Sequence, residues 1–387
     1  MERFPSPIPE LVARDRGRAA HRLLKILYSL FIRFVVLSIK RCGRRKHIDR
    51  LSSLRMAGAV SQLGSRSMRI SRRQFLTRLT VAAGALPFGR EFGWAQVKSR
   101  LGYMKIVDNA AMFVAMDKGF FKAEGLDLEP VPMRGGAVIV QGVTSGDLQF
   151  GWTNVISLYQ AAAEGFDFKL IAGGATNVRG THETHAIEVL NDSPIKGARD
   201  LEGKTVAVNT LNNIVHLMAM AWVDKNGGSS AKVRFIELPF PQMEAALIAR
   251  KVDAISVQEP FAAAAAHRPG VRVLAHPWGD VAPRFLIASW FASEKWIRNN
   301  RKTAEAFVRA INRGIEAIHA DPQGARAAMI KWAGLKPDMV GKIGLPLFDK
   351  TLSEKDLQST IDLTFRYKLI PRKLKARQVI SDIAPNA

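Results

Sequence analysis

Thiols are all but absent from this chain: of 387 residues one is cysteine, Cys42, and it lies near the N-terminus. The remainder therefore has no disulfide, no cysteine-ligated zinc, no iron–sulfur cluster and no thiol nucleophile. A thiol-free body suits an oxidising compartment. Long apolar runs are scarce as well. Leu23 to Ile39 is interrupted by Lys25 and Arg33, and a charge near the middle of a spanning helix costs about 2.5–3.5 kcal/mol on insertion scales, which weighs against a membrane span. Acidic residues are sparse in one region only. Residues 1–95 hold 20 Lys+Arg against 5 Asp+Glu, so residues 96–387, with 37 against 29, carry only +8 of the total +23. Spread over a folded body, the whole excess would point to nucleic acid or an anionic membrane surface. Concentrated in the N-terminal segment, it does not, and no nucleic-acid partner is expected.

What the chain does have is the balance of a globular protein, 47% hydrophobic and 24% charged, with length enough for two lobes and a cleft. Its N-terminal region reads as an address. Ser71-Arg72-Arg73-Gln74-Phe75-Leu76 resembles the twin-arginine export motif, and the mildly apolar stretch Phe75 to Phe88 is too short and too polar to span a bilayer. Gly93-Trp94-Ala95 offers small residues at the two positions a signal peptidase needs, which places the signal at 68–95 and the mature start near Gln96. Residues 1–67 are expected to be a dispensable extension without stable packing, with Met56 or Met68 as alternative starts. No lipobox cysteine follows the apolar stretch, so no lipid anchor is expected.

From Leu101 onward short β-rich runs alternate with helical patterns, the signature of an α/β architecture built on parallel sheets. Strands are expected at Tyr103 to Val107, Leu126 to Pro132, Leu148 to Trp152 and Lys169 to Ala172, with helices over Ala111 to Lys118, Ala137 to Thr144 and Asn154 to Glu164. A second cycle begins at Leu201. Thr205 to Val208 is a strand, Asn212 or Asn213 caps a helix running to Asn226, and further strands fall at Val233 to Leu238 and Val252 to Val257. Ile214, Val215, Leu217, Met218, Ala221 and Trp222 share one helical face and belong in a core. The chain from Ser293 is mostly helical, with Pro322 and Pro337 at helix starts.

Four blocks carry a family resemblance. Asp117-Lys118-Gly119-Phe120-Phe121-Lys122-Ala123-Glu124-Gly125-Leu126 is similar to a signature of the solute-binding proteins for alkanesulfonates, taurine and nitrate. Gly146-Asp147-Leu148-Gln149-Phe150-Gly151, the segment Ala198 to Val208, and the segment Ala245 to Ala254 agree with that family in order and spacing. The chain also resembles binding proteins for thiamine pyrimidine precursors. The resemblance implies a two-lobed periplasmic binding protein fold of type II, two α/β lobes joined by two crossing strands, with Ala186 to Leu190 and Leu286 to Trp290 as the crossings. Lobe I is then 96–188 plus 289–387, and lobe II 189–288. It further implies a small-molecule ligand in the interlobe cleft, no cofactor, a monomer in the periplasm, and an inner-membrane ABC permease with its cytoplasmic ATPase as partner. Fungal pyrimidine-precursor synthases resemble the same family and depend on a cysteine-rich iron site. The missing thiols, and histidines such as His182, His185, His216, His267 and His276 that form no HExxH pattern, set this chain apart from them. A ligand-sensing partner of a membrane receptor is a third reading.

In open parallel sheets, ligands sit beyond the carboxyl ends of strands, at helix N-termini that present free amides. That rule selects Asn109, Ala110 and Met112, then Arg134, Gly135 and Gly136, then Thr153 and Asn154, then Gly174 and Thr176. The second lobe contributes Asn209, Thr210, Asn212 and Asn213, then Gln258 and Glu259. The Asn and Thr residues also serve as helix caps. Arg134, beside a glycine pair, is the side chain suited to meet an anionic group through forked, charge-assisted bonds. Arg179 and His182 are secondary candidates, and Trp152 and Trp278 are either stacking surfaces or core. Sulfonate, taurine-like, nitrate, aromatic carboxylate and pyrimidine ligands all fit this reading.

Overall fold

A computed structural model describes residues 97–385. The export motif, the preceding apolar stretch, Cys42 and the expected mature start lie outside the described residues. Among the described residues no helix is long and apolar enough to cross a membrane.

Strand β1 (Val97–Tyr103) runs parallel to β2 (Leu126–Pro132), in register from Val97 opposite Leu126 to Tyr103 opposite Pro132. It starts six residues before the expected Tyr103. Lys98 and Arg100 point outward and disguise the alternation, while Ser99, Leu101 and Tyr103 face inward. After Tyr103 the chain coils through a 3-10 turn, Val107–Asn109, into α1 (Ala110–Asp117), so Val107 ends no strand. Gly119, at φ 68°, turns the chain into α2 (Phe120–Ala123), a backbone angle that suits glycine. There follow α3 (Gly136–Ser145), β3 (Phe150–Asn154), α4 (Val155–Ala163) and the long β4 (Lys169–Val178).

The chain then enters a second sheet. Its strands are β5 (His185–Leu190), β6 (Thr205–Val208), β7 (Arg234–Glu237), β8 (Ala254–Gln258) and β9 (Val271–Ala275), ordered β7-β6-β8-β5-β9. Helices α5 (Ile214–Lys225), α6 (Phe240–Ile248) and α7 (Phe261–Ala266) lie between them. Ile214, Val215, Leu217, Met218, Ala221 and Trp222 of α5 are all buried, as their spacing requires. After α8 (Pro277–Val281), β10 (Arg284–Ala292) returns to the first sheet, antiparallel to both β3 and β4. The first lobe is completed by α9 (Glu294–Asn299), α10 (Arg301–Ala320), α11 (Pro322–Ala333), β11 (Leu347–Phe348) and α12 (Glu354–Arg366). Its sheet has the order β11-β4-β10-β3-β1-β2. The fold is thus two α/β lobes on one chain.

Ala186 to Leu190 and Leu286 to Trp290 fall inside β5 and β10, and each of those strands pairs within a single sheet. The passage between sheets lies just before each strand, at 179–184 and 276–283. Strand β10 is buried along nearly its whole length between helices, and its Trp290 meets Phe307 of α10 edge-on, ring centroids 5.9 Å apart. Phe307 in turn stacks on Phe150 at 3.9 Å. Burying such aromatic surface, at about 25 cal/mol per Å² of apolar area, is what holds the returning segment to the first lobe.

Candidate functional site

The two lobes face each other across the ends of β3, β6 and β8, and helix caps stand on both sides. On the first lobe Asn154 closes β3 and opens α4: its side chain accepts the Ser157 N–H at 3.1 Å and donates to Ser157 Oγ at 3.0 Å. On the second lobe Asn213 does the same for α5, accepting the His216 N–H at 3.1 Å and donating to Asn209 Oδ1 at 2.8 Å. Both caps anchor their helix starts toward the cleft, the placement that the polar side chains at strand ends suggest. Asn212, at φ 59°, presents its carbonyl to Gln160 Nε2 of α4 at 2.8 Å, a bond that spans the lobes.

Between the caps lies a narrow inner cavity of about 20 Å³, whose polar lining includes Asp108, Asn154, Asn209, Asn213 and Gln258. Trp152, Met104, Ile106 and Phe240 supply apolar walls. Beside it lies an outer groove of about 260 Å³ edged by Lys105, Arg134, Met133, Phe261 and the prolines 239 and 241. The two share Met104, Ile106, Asn209 and Phe240 and are therefore adjacent. A larger depression of about 640 Å³, between residues 352–355 and 377–382, shares no residue with either.

The expected site residues separate into three groups. Asn154, Asn209 and Asn213 line the inner cavity, and Arg134 is exposed at the groove. Gly135, Gly136, Thr153 and Thr210 gather beside them. A β-carbon on Gly135 would approach Thr210 Oγ1 of the opposite lobe to 3.6 Å, and one on Gly136 would collide with the Thr153 hydroxyl. The third group stays out of the cavity. Met112 is fully buried in α1 as part of the first lobe's core. Gly174 is held against the Ala288 carbonyl in the sheet, and Thr176 gives its hydroxyl to Asp349 Oδ2 at 2.8 Å. Asn109 is buried with Nδ2 donating to the Met104 carbonyl at 2.9 Å. Arg179 pairs with Asp280 at 3.2 Å, and the carbonyl of His182 bridges to Val178, so both belong to the passage between sheets. Trp278 is core, stacked on His185 at 4.5 Å, whereas Trp152 reaches the cavity.

Glu259 is structural as much as polar. Its side chain accepts the N–H of Ala263 at 3.0 Å and of Gly344 at 3.2 Å, and its carbonyl accepts the Val107 N–H at 3.3 Å, so it ties β8 to the first lobe. Burial pushes its carboxyl up to about 7, against the pull of those two backbone bonds. Asp108, passed over by the strand-end rule although it adjoins Asn109 in the turn before α1, is the notable addition. It is buried, it receives Gln258 Nε2 on Oδ2, and its Oδ1 has no hydrogen-bond partner among the described residues. Burial raises it to about 7; the Gln258 bond opposes the rise and the nearby Glu259 adds to it. Trp152 Nε1 likewise has no partner among the described residues. Behind the site in the second lobe, burial lifts Glu188 to about 9, with Glu259 and Glu244 adding their charge, while His185 falls to about 3 for the same first reason.

This two-lobed arrangement is the fold of periplasmic substrate-binding proteins of ABC importers. Residues 107–325 match the family described as NMT1/THI5 like, and the chain belongs to that family. A candidate ABC transporter periplasmic binding protein of Brachyspira hyodysenteriae is 27% identical over 135 residues, 35% of this chain and 38% of that relative, so the match spans well under half of it. The 4-amino-5-hydroxymethyl-2-methylpyrimidine phosphate synthase of Uromyces fabae is 22% identical over 255 residues, 62% of this chain and 71% of the relative. Among solved structures, the alkanesulfonate-binding protein SsuA from Xanthomonas axonopodis pv. citri bound to MOPS superposes with a TM-score of 0.63 at 20% identity, covering 74% of this chain and 99% of that one.

Proposed function

We propose that this chain is the exported solute-binding component of an ABC-type importer, holding a small organic anion of the sulfonate, taurine or nitrate class between its lobes. It hands that solute to an inner-membrane permease driven by a cytoplasmic ATPase. The observation that carries the reading is the convergence of both lobes on one cleft, with capped helix starts at Asn154 and Asn213 and the glycine pair of α3 opposite Thr210. Such termini offer backbone N–H groups to an anion, and Arg134 stands at the rim to add a charge-assisted bond. The lobe boundaries fall at the passages 179–184 and 276–283. The protein acts as a monomer, reaching the periplasm by the twin-arginine route, with the ligand bound reversibly and unchanged.

Likeness to the pyrimidine synthase supports a second reading, an enzyme on the same fold. One experiment separates them. Protein purified from the periplasmic fraction is screened by thermal shift against sulfonates, nitrate, aromatic carboxylates and pyrimidines, since a ligand at 100 times its Kd adds about 2.7 kcal/mol of stability. The bound ligand is then recovered and weighed by mass spectrometry. Stabilisation with an unaltered ligand supports binding, and recovery of a transformed product supports the enzyme.

A further inference from the structure

The inner cavity is acidic where the proposed ligand is acidic too. Its lining holds a buried carboxyl, three asparagines and a glutamine, and no Lys, Arg or His among the described residues. The cations stand at Lys105 and Arg134, in the outer groove. Size points the same way as charge. A cavity of about 20 Å³ is little more than the roughly 10–15 Å³ that one water needs, whereas a sulfonate or phosphate group brings four or more heavy atoms. The outer groove, about 260 Å³, has that room.

The hydrogen-bonding inventory narrows it further. Asn154 spends its side chain on Ser157 and Thr153, and Asn213 spends its own on His216 and Asn209. Two buried polar atoms of cavity-lining residues have no partner among the described residues: Asp108 Oδ1, an acceptor, and Trp152 Nε1, a donor. A buried carboxyl oxygen without a donor is costly in a low-dielectric site, and a bare anion, which offers acceptors only, would leave Asp108 Oδ1 unpaired and could engage only Trp152 Nε1.

Resting on the binding reading above, we propose that the cleft takes an anion that also carries an N–H group and takes it nitrogen first. Asp108, held by Gln258, receives the N–H deep in the cavity. The anionic end stays outward, against Arg134, Lys105 and the first amides of α3. Asp108 is thereby the residue that selects against nitrate and plain alkanesulfonates.

The test uses matched pairs of probes on the exported protein: taurine and ethanesulfonate, aminoethylphosphonate and ethylphosphonate, an aminopyrimidine methyl phosphate and its desamino analogue. Titration calorimetry should find, in at least one pair, the nitrogen-bearing member bound about thirtyfold or more tightly than its partner. Asp108→Asn should remove most of that ratio while leaving the desamino member within about threefold. Arg134→Ala should weaken both members alike. A desamino member bound as tightly as its partner overturns the orientation proposed for Asp108 but leaves solute binding intact. Silence from every pair, with a stabilised protein found for some bare anion in the wider screen, also overturns it. No stabilisation by any compound overturns the binding reading itself. Because the matched pairs are compared on the unaltered protein, the proposal stays open to refutation even if Asp108→Asn does not fold.

Discussion

Glu188 is fully buried in β5 with neither carboxyl oxygen hydrogen-bonded among the described residues, and burial lifts it from the usual 4.5 to about 9. Over the interval between those values the native state keeps a proton that the unfolded chain has shed. The Glu188 contribution to stability therefore falls as pH rises from about 5 toward about 9, opposed below about 6.5 by His185 and His216, which burial lowers to about 3 and about 4. Asp108 and Glu259, both raised to about 7, push in the same direction. Glu188→Gln should flatten this decline without abolishing it, leaving a smaller loss of Tm between about pH 5 and about pH 9 than the parent shows. An equal loss in both proteins would mean that Glu188 is ionised in the native state at little cost. The same residues mark what the sequence could and could not convey about the site. Asn154 and Asn213 were legible because a cap before an apolar helical run has a local signature. Asp108 was not, since its importance comes from burial and from Gln258, 150 residues away in the other lobe.

Helix α1 illustrates the same division one level up. Its existence was plain in Ala111 to Lys118, and the strand Leu126 to Pro132 and the strand Thr205 to Val208 were placed to the residue. What it packs against was hidden. Gly314, in the middle of α10, lets that helix approach α1 so closely that a β-carbon would collide with the Ala111 carbonyl. Glycine in a helix interior is intrinsically unfavourable by about 1 kcal/mol, and the close approach supplies its reason. Gly314→Leu should cost about 1–3 kcal/mol through overpacking, read as a lower urea midpoint, whereas a substitution that raised stability would show that the helices have slack. The displaced first strand has an equally physical cause. Lys98 and Arg100 occupy outward positions of β1, and a sequence window sees their charge before it sees the inward face.

For the molecule as a whole, export is the first thing to check. If the twin-arginine motif directs it, replacing Arg72 and Arg73 with Lys should leave precursor in the cytoplasm, and an unchanged periplasmic yield would rule that route out. The second concerns the rim of the cleft. Gln160 Nε2 reaches the Asn212 carbonyl, and Tyr367 Oη donates to Asp224 Oδ2 at 2.8 Å, each joining one lobe to the other from outside the cavity lining. If the lobes close over a solute, contacts of this kind would favour the shut form without touching whatever it holds. They belong to residence time and not to recognition. Tyr367→Phe should leave the association rate nearly unchanged and speed dissociation by roughly twofold to tenfold, measured by stopped flow, as expected for losing one hydrogen bond from the shut state alone. A change confined to the association rate would place Tyr367 on the encounter path instead. With the rim bonds intact, a captured solute would stay for a period set by two side chains that never meet it, and whatever pulls Tyr367 from Asp224 would shorten that stay without competing for the solute.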